Sequence, residues 1–144
     1  GGVTLSEPIA LHYQVSADDF SHAGEASSNV KKTLKSLGFP PEVVRRVAIA
    51  MYEGEINMVI HAHGGEATAN ITPEEIEIVL KDVGPGIPDI PLAMQEGYST
   101  APDSVRNLGF GAGMGLPNMK RYTDFLQVNS VVGEGTTVRM IIRP

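Results

Sequence analysis

The segment from Pro41 to His61 most constrains the fold, because it predicts a long helix that is apolar on nearly every side. From Val47 to Ile60 nearly every position is apolar or small. The exceptions are Glu53, Glu55 and Asn57. A helix with this pattern must be buried on several faces, so the rest of the chain has to cover it.

The other segments predict a mixed α and β protein. Residues 9–15 alternate between apolar and polar, which is typical of a half-buried strand. A helix is predicted from a cap at Asp18-Asp19 to Leu37, ended by Gly38, and Pro40-Pro41 begins the next one. Further strands are predicted at 67–71 and 75–80, joined by a hairpin turn at 72–74, and at 126–131 and 136–142, with helices at 90–95 and 114–125. This order predicts an α+β fold, a two-layer α/β sandwich in which about three helices cover one face of a mainly antiparallel sheet.

Length and composition narrow the class of protein. The 144 residues fit a single domain spanning 1–144. With 42% hydrophobic residues and no apolar run near the roughly 20 residues of a membrane helix, a globular protein with no membrane contact is expected. The net charge of −6 disfavours direct nucleic-acid binding. The absence of Cys excludes disulfides and thiol catalysis, and without a secretory signal a cytoplasmic location is expected. Gly1-Gly2, which stands where an initiator Met would be, is interpreted as an expression remnant.

Glu53 and Asn57 are four residues apart and therefore share one helix face. A carboxylate and an amide in an otherwise apolar helix are costly unless they are paired or bind something, by about 1–3 kcal/mol for the amide alone. Two interpretations are open at this point. Either Glu53 is exposed to solvent and Asn57 makes a hydrogen bond in the core, or both side chains belong to a ligand site.

Asp82 ends the strand 77–81 and precedes Val83-Gly84-Pro85-Gly86. Taken alone, this pattern is typical of a turn. An Asp at the rim of a sheet can instead accept a hydrogen bond from an adenine amino group. Gly84 and Gly86 would then let the base approach the backbone.

The segment 83–113 is rich in Gly, Pro, Ser and Asn, and we interpret 97–112 as a lid. Glycines alternate just ahead of the last predicted helix, at Gly109, Gly111, Gly113 and Gly115. Backbone amides at a helix start favour phosphate, although a flexible glycine-rich loop is the simpler alternative. The chain has neither the Gly-Lys-Ser/Thr of a P-loop nor a strict G-x-G-x-x-G. Its four His lack partners at metal-ligand spacing, so no histidine metal site is predicted.

Together, these motifs resemble those of the GHKL (Bergerat-fold) ATPases, from about Val43 to the C-terminus. The matched boxes are the N box at 53–57, the D-x-G-x-G box at 82–86, the G-x-G-x-G box at 111–115 and the last box at Gly135-Thr136. Within that superfamily, the sequences of the helix segment 47–53 and of the lid segment 98–102 resemble those of bacterial anti-sigma-factor serine/threonine kinases. The sequence at 113–121 resembles the switch-kinase branch of that group more than its other members.

The resemblance implies a Mg-ATP site under a mobile lid. Asn57 would coordinate Mg²⁺, Glu53 would act as general base toward an acceptor hydroxyl, and Arg106 would neutralise charge in the transition state. Asp82 would read the adenine with support from Thr136. The other implied nucleotide-binding positions are Gly84, Gly86, Thr100, Gly109, Gly111, Gly113, Met114 and Gly115.

The implied function is a serine/threonine kinase that phosphorylates a small STAS-type antagonist protein in a partner-switching circuit. A sigma factor, a phosphatase and a second copy of the chain are further candidate partners. Two alternatives are a non-catalytic regulator that uses ATP only to gate partner binding and a detached catalytic module of a two-component histidine kinase. Glu53 favours the kinase, since a pure binder needs no base. Glu55 departs from the small or neutral residue usual in this N box, and the lid at 100–111 is longer than in the sporulation-type kinases, so a different partner choice is expected.

Overall fold

The computed structural model describes residues 7–17, 19–87, 90–94 and 115–144. Its strands and helices are, in chain order, β1 (Ile9–Val15), α1 (Glu25–Leu37), α2 (Pro41–His61), β2 (Gly65–Ile71), β3 (Ile76–Asp82), α3 (Ile90–Ala93), α4 (Gly115–Arg121), β4 (Phe125–Val131) and β5 (Gly135–Ile142). The predicted order of strands and helices is therefore confirmed. Within these ranges, no helix combines the length and the hydropathy needed to cross a membrane.

The five described strands form one antiparallel sheet in the order β1-β2-β3-β5-β4. β2 and β3 make the predicted hairpin, and its turn is closed where the Thr72 N–H donates to the Glu75 carbonyl at 3.0 Å. β3 is the central strand and pairs with β5, with Ile76 opposite Ile142 and Lys81 opposite Thr137. Because the two strands are antiparallel, the C-terminal end of β3 lies beside the start of β5.

The hydrophobic core lies between the helices and one face of the sheet. Side chains of β2 and β3 alternate between buried and more exposed, as expected for a sheet that is covered on one face. α2 packs on α1, on α4 and on strands β1, β3 and β5. Fully buried side chains include Leu34, Val44, Val47, Met51, Ile78, Leu80, Met119, Met140 and Ile142. The two-layer α/β sandwich is confirmed, and α2 is buried on several faces as predicted.

The start of α1 differs from the prediction. The helix begins at Glu25, with Gly24 as its N-cap residue, and not after Asp18-Asp19. Asp19 instead makes a local turn contact, accepting a hydrogen bond from Ser21 Oγ at 2.7 Å and lying 2.8 Å from His22 Nδ1. These contacts hold the pKa of the Asp19 carboxyl below its usual value, the Ser21 bond most strongly. Asp18 is outside the described residues.

The end of α4 also differs, because this helix stops at Arg121 and not near Phe125. Asp124 already belongs to the sheet side of the junction. Its N–H donates to the Ile141 carbonyl at 2.9 Å, and its carboxylate accepts from the Arg143 N–H at 2.6 Å and from Arg46 at 3.0 Å. Pairing with β5 therefore ends the helix earlier than local propensity suggests.

Gly54 lies where α2 packs closely against β3. A Cβ at this position would overlap Leu80 Cδ1 and lie 3.4 Å from Met119 Sδ. Gly54→Ala would gain about 1 kcal/mol in helix propensity, but overpacking a full core costs about 1–3 kcal/mol. We therefore expect a net loss of about 1 kcal/mol in the free energy of unfolding, measured by urea titration. A net gain would mean that Leu80 repacks without cost.

Candidate functional site

Glu53 and Asn57 lie on α2, and both side chains are half-buried. The Glu53 Oε1 accepts a hydrogen bond from Asn118 Nδ2 at 3.2 Å. The Asn57 side chain forms no hydrogen bond with any other residue in the described ranges. Glu53 is therefore not fully exposed, as the first interpretation requires. The assignment of Glu53 and Asn57 to a ligand site stays a prediction.

Asn118 is a site residue that the sequence analysis missed. It lies on α4, between the buried Leu116 and Met119. An amide in the short helix that follows the glycine-rich motif, beside two core positions, was the available signal. By holding one oxygen of Glu53, Asn118 fixes the direction in which that carboxylate projects.

Asp82 is the last residue of β3, and Thr136 lies beside it near the start of β5. The Thr136 N–H donates to Asp82 Oδ1 at 2.8 Å, and the Thr136 side chain is buried. Within the described residues, that N–H is the one hydrogen-bond donor to this carboxylate. Burial raises the pKa of Asp82 above its ordinary value of 3.8, while the Thr136 N–H lowers it by a smaller amount.

The turn after Asp82 is held by Ser130, a second residue that the sequence analysis missed. Ser130 Oγ accepts the Ile87 N–H at 2.7 Å and lies 2.8 Å from Thr136 Oγ1. Gly86 has a φ of +77°, and a Cβ there would lie 2.7 Å from the Val131 carbonyl oxygen. Glycine is therefore required at this position for backbone reasons alone. The predicted role of Gly86 in admitting a base stays a prediction.

The end of α2 is joined to the segment that follows Asp82. The His63 N–H donates to the Val83 carbonyl at 2.6 Å, and the Val83 N–H donates to the Gly64 carbonyl at 3.1 Å. A Cβ on Gly84 would lie 3.0 Å from the Cα of Ala62. Close packing against the end of α2 is thus one physical reason for glycine at 84, and its predicted role beside a base also stays a prediction.

The structure therefore places two groups of predicted site residues around α2. One is Glu53 with Asn57, tied to α4 through Asn118. The other is Asp82 with Thr136 and Gly86, where the end of β3 meets the start of β5. Gly115 is the first residue of α4. The other predicted positions lie outside the described residues: Thr100, Arg106, Gly109, Gly111, Gly113 and Met114, together with the predicted lid at 97–112.

Among the described residues, no group of three or more His, Asp or Glu is arranged to hold a metal ion. The predicted Mg²⁺ ligand, Asn57, would instead have to share the ion with nucleotide phosphates. The amide oxygen of Asn57 suits such a site, because Mg²⁺ takes oxygen ligands and retains few protein contacts when phosphates are present.

The raised pKa of Asp82 predicts a pH dependence of stability. The folded state holds the proton of the Asp82 carboxyl more tightly than the unfolded state does. The resulting contribution to the free energy of unfolding is complete below pH 3.8 and is lost as pH rises through the folded-state pKa. Asp82→Asn has no such proton. Its free energy of unfolding, relative to wild type, is expected to increase across that window and then level off, as measured by urea titration at a series of pH values.

Asp124→Asn provides the opposite control. The pKa of Asp124 is lowered, chiefly by the Arg143 N–H, so its contribution is present above pH 3.8 and is lost as pH falls through the folded-state pKa. The stability of Asp124→Asn relative to wild type should therefore decrease as pH rises. A flat profile for Asp82→Asn would contradict the burial of this carboxylate.

Comparisons with known proteins identify the family of this chain. The histidine kinase-like ATPase domain family matches residues 16–142. The serine/threonine-protein kinase RsbT of Bacillus subtilis is 36% identical over 115 residues, which cover 77% of this chain and 80% of that protein. The anti-sigma F factor of Caldanaerobacter subterraneus is 35% identical over 104 residues, 69% of each chain.

A solved structure supports the fold alone. The RsbU and RsbW domains of a Mycobacterium tuberculosis protein match with a TM-score of 0.63 at 14% identity. The match covers 94% of this chain and 32% of that one.

The family model and the two relatives confirm the resemblance to GHKL ATPases and to anti-sigma-factor serine/threonine kinases, and membership in an ATPase family implies use of ATP. The chain belongs to the histidine kinase-like ATPase domain family, in the group of serine/threonine kinases and anti-sigma factors to which these relatives belong.

Proposed function

We propose that this protein is a Mg-ATP-dependent serine/threonine kinase that phosphorylates a small antagonist protein in a partner-switching circuit. The observation that carries the proposal is the environment of Glu53. Its carboxylate is half-buried, is held by Asn118 and lies one helical turn from Asn57. A base is what a phosphotransferase needs, and a protein that only binds ATP gains nothing from one.

Nucleotide recognition is assigned to Asp82 and Thr136. Thr136 occupies Oδ1 of the carboxylate through its backbone N–H. Oδ2 receives no hydrogen bond from the described residues, and we propose that it accepts one from the exocyclic amino group of adenine. A half-buried carboxylate favours such a donor strongly, because the burial that raises its pKa also deprives it of water.

The proposed transfer step follows from Glu53 as base. The acceptor hydroxyl gives its proton to a Glu53 oxygen as its own oxygen bonds to the γ-phosphorus of ATP. The bond from that phosphorus to the β,γ-bridging oxygen breaks, and ADP leaves with the electron pair. When bound, Mg²⁺ would neutralise phosphate charge, and the amide oxygen of Asn57 would be its protein ligand. The glycines at 109–115 and Arg106 would contact the phosphates.

The acceptor is proposed to be a Ser or Thr on a STAS-type antagonist. The support is the similarity to the serine/threonine-protein kinase RsbT, at 36% identity, and to the anti-sigma F factor of Caldanaerobacter subterraneus, at 35% identity. A sigma factor, a phosphatase or a second copy of the chain are further partners that such a circuit would contain.

Transfer of radiolabelled phosphate from ATP to purified antagonist domains tests the proposal. We expect labelling that requires Mg²⁺, survives acid and disappears when the acceptor Ser or Thr is replaced by Ala. Acid-labile label on a partner would instead support the histidine kinase alternative, because phosphohistidine hydrolyses in acid. ATP binding with no transfer to any antagonist would favour the non-catalytic regulator.

A further inference from the structure

The N-terminus of α1 has no side-chain cap from its own segment. Its N-cap residue is Gly24, in the left-handed region with φ of +91°. The first amides of a helix have no partners within the helix and require acceptors from elsewhere. Here the carboxylate of Glu55, on α2, supplies them. Oε2 accepts the N–H groups of Gly24 at 3.0 Å and Ala26 at 3.1 Å, and Oε1 accepts that of Ser27 at 3.0 Å.

This contact explains how a charged residue is tolerated inside α2. Glu55 is 2% exposed, and a carboxylate that deeply buried is strongly unfavourable unless it is fully hydrogen-bonded. Three N–H donors and the positive end of the α1 dipole meet that requirement. Glu55, which departs from the usual N box, therefore joins α2 to the start of α1.

Glu55 also lies on the far side of α2 from the two predicted site residues. It is two positions from Glu53 and two from Asn57, and two positions correspond to about 200° around a helix. The contacts agree with this geometry, since Glu53 bonds to Asn118 of α4 while Glu55 bonds to α1. A rotation of α2 about its axis would break the three hydrogen bonds to α1 and move Glu53 and Asn57 at the same time.

The junction between α1 and α2 also borders a pocket. Glu55 borders a cavity of about 380 Å³, which is also lined by His12, Asn29 and Val59 among others. The hydrogen bonds of the carboxylate add to the buried contacts between α1 and α2 in restraining the rotation of α2 around this point.

We infer that Glu55 is a positioning residue for the nucleotide site. By capping α1, it sets the rotation of α2 and hence the direction in which Glu53 and Asn57 project. The inference rests on the proposed function for the roles of those two residues. Glu55 itself touches neither nucleotide nor acceptor in this scheme.

Glu55→Gln tests this directly, because it keeps the side-chain size but offers one acceptor oxygen to three N–H groups. The amides of Gly24, Ala26 and Ser27 are expected to exchange hydrogen about tenfold faster or more. The gain in ATP affinity on adding Mg²⁺ should shrink by about tenfold, as for other residues that orient a metal ligand. ATP affinity in EDTA should stay near parental, since Asp82 is untouched.

Val30→Ala is the matched control, because Val30 is a fully buried residue of α1 that does not bond to Glu55. It loosens helix packing and should leave the Mg²⁺-dependent gain near parental at the same folded fraction. Should Glu55→Gln not fold, Glu55→Asp retains the charge but falls short of α1 by one methylene. The same loss of the Mg²⁺-dependent gain is expected for it.

Two results would overturn the inference. One is an unchanged Mg²⁺-dependent gain in folded Glu55→Gln, which would make the contact purely structural. The other is unchanged amide exchange, which would mean that the cap does not form. Failure of the kinase proposal would give a different result, because wild type would then bind Mg-ATP but transfer no phosphate. The Mg²⁺-dependent gain in ATP affinity of Glu55→Gln, compared with wild type, would still decide the role of Glu55.

Discussion

Glu53→Gln is expected to bind Mg-ATP nearly as well as wild type and to transfer phosphate about 100-fold more slowly or worse. Gln has the same size and keeps an oxygen that can accept the Asn118 hydrogen bond, so the local structure should persist. What it loses is the basic oxygen that takes the acceptor proton. Initial rates of radiolabelled transfer, together with calorimetric ATP affinity, separate the two effects.

Glu42→Gln is the matched control for this variant. Glu42 is an exposed residue in the first turn of the same helix, so the chemical change is identical but distant from the site. It should transfer phosphate at the wild-type rate. If Glu53→Gln does so as well, Glu53 is not the base and the proposed mechanism loses its central residue.

Asp82→Ala should weaken binding of both ATP and ADP by at least about 2 kcal/mol, a factor of about 30 in Kd. In the proposed site, the truncation would leave the adenine amino group without its acceptor, and it also leaves the Thr136 N–H unpaired. Sites built to hydrogen-bond a ligand discriminate strongly in this way. Titration calorimetry with each nucleotide measures the loss.

Asp124→Ala serves as its control, since Asp124 also accepts a backbone N–H, that of Arg143 at 2.6 Å, but does so at the α4–β4 junction. Its nucleotide affinity should match wild type. Circular dichroism on both variants shows whether the fold is intact. Wild-type affinity in folded Asp82→Ala would remove adenine recognition from this carboxylate.

The elements predicted well are those whose signal is local. β1 and α2 lie where their apolar periodicities place them, and the hairpin follows from the turn residues at 72–74. The start of α1 could not be found in this way, because its cap comes from Glu55, about thirty residues later in the chain. Asp18-Asp19 offered a plausible local cap, but a tertiary contact prevailed.

For the site, too, local features could be predicted and contacts between distant residues could not. Glycine motifs and the four-residue spacing of Glu53 and Asn57 are visible in the sequence, since each depends on a few adjacent positions. Asn118 and Ser130 could not be assigned, because their partners lie 65 and 43 residues away in the chain. Such contacts exist only after α4 has packed on α2 and β4 has joined β5.

The hairpin between β2 and β3 has a practical consequence for labelling the protein. β3 runs from Ile76 at the turn to Asp82 at the proposed adenine site, and six steps of an extended strand span about 20 Å. Pro73 and Glu74, at the tip, are exposed. A cysteine introduced at either position would carry the only thiol label, since the sequence has no other Cys, and the label would lie well away from the proposed adenine site.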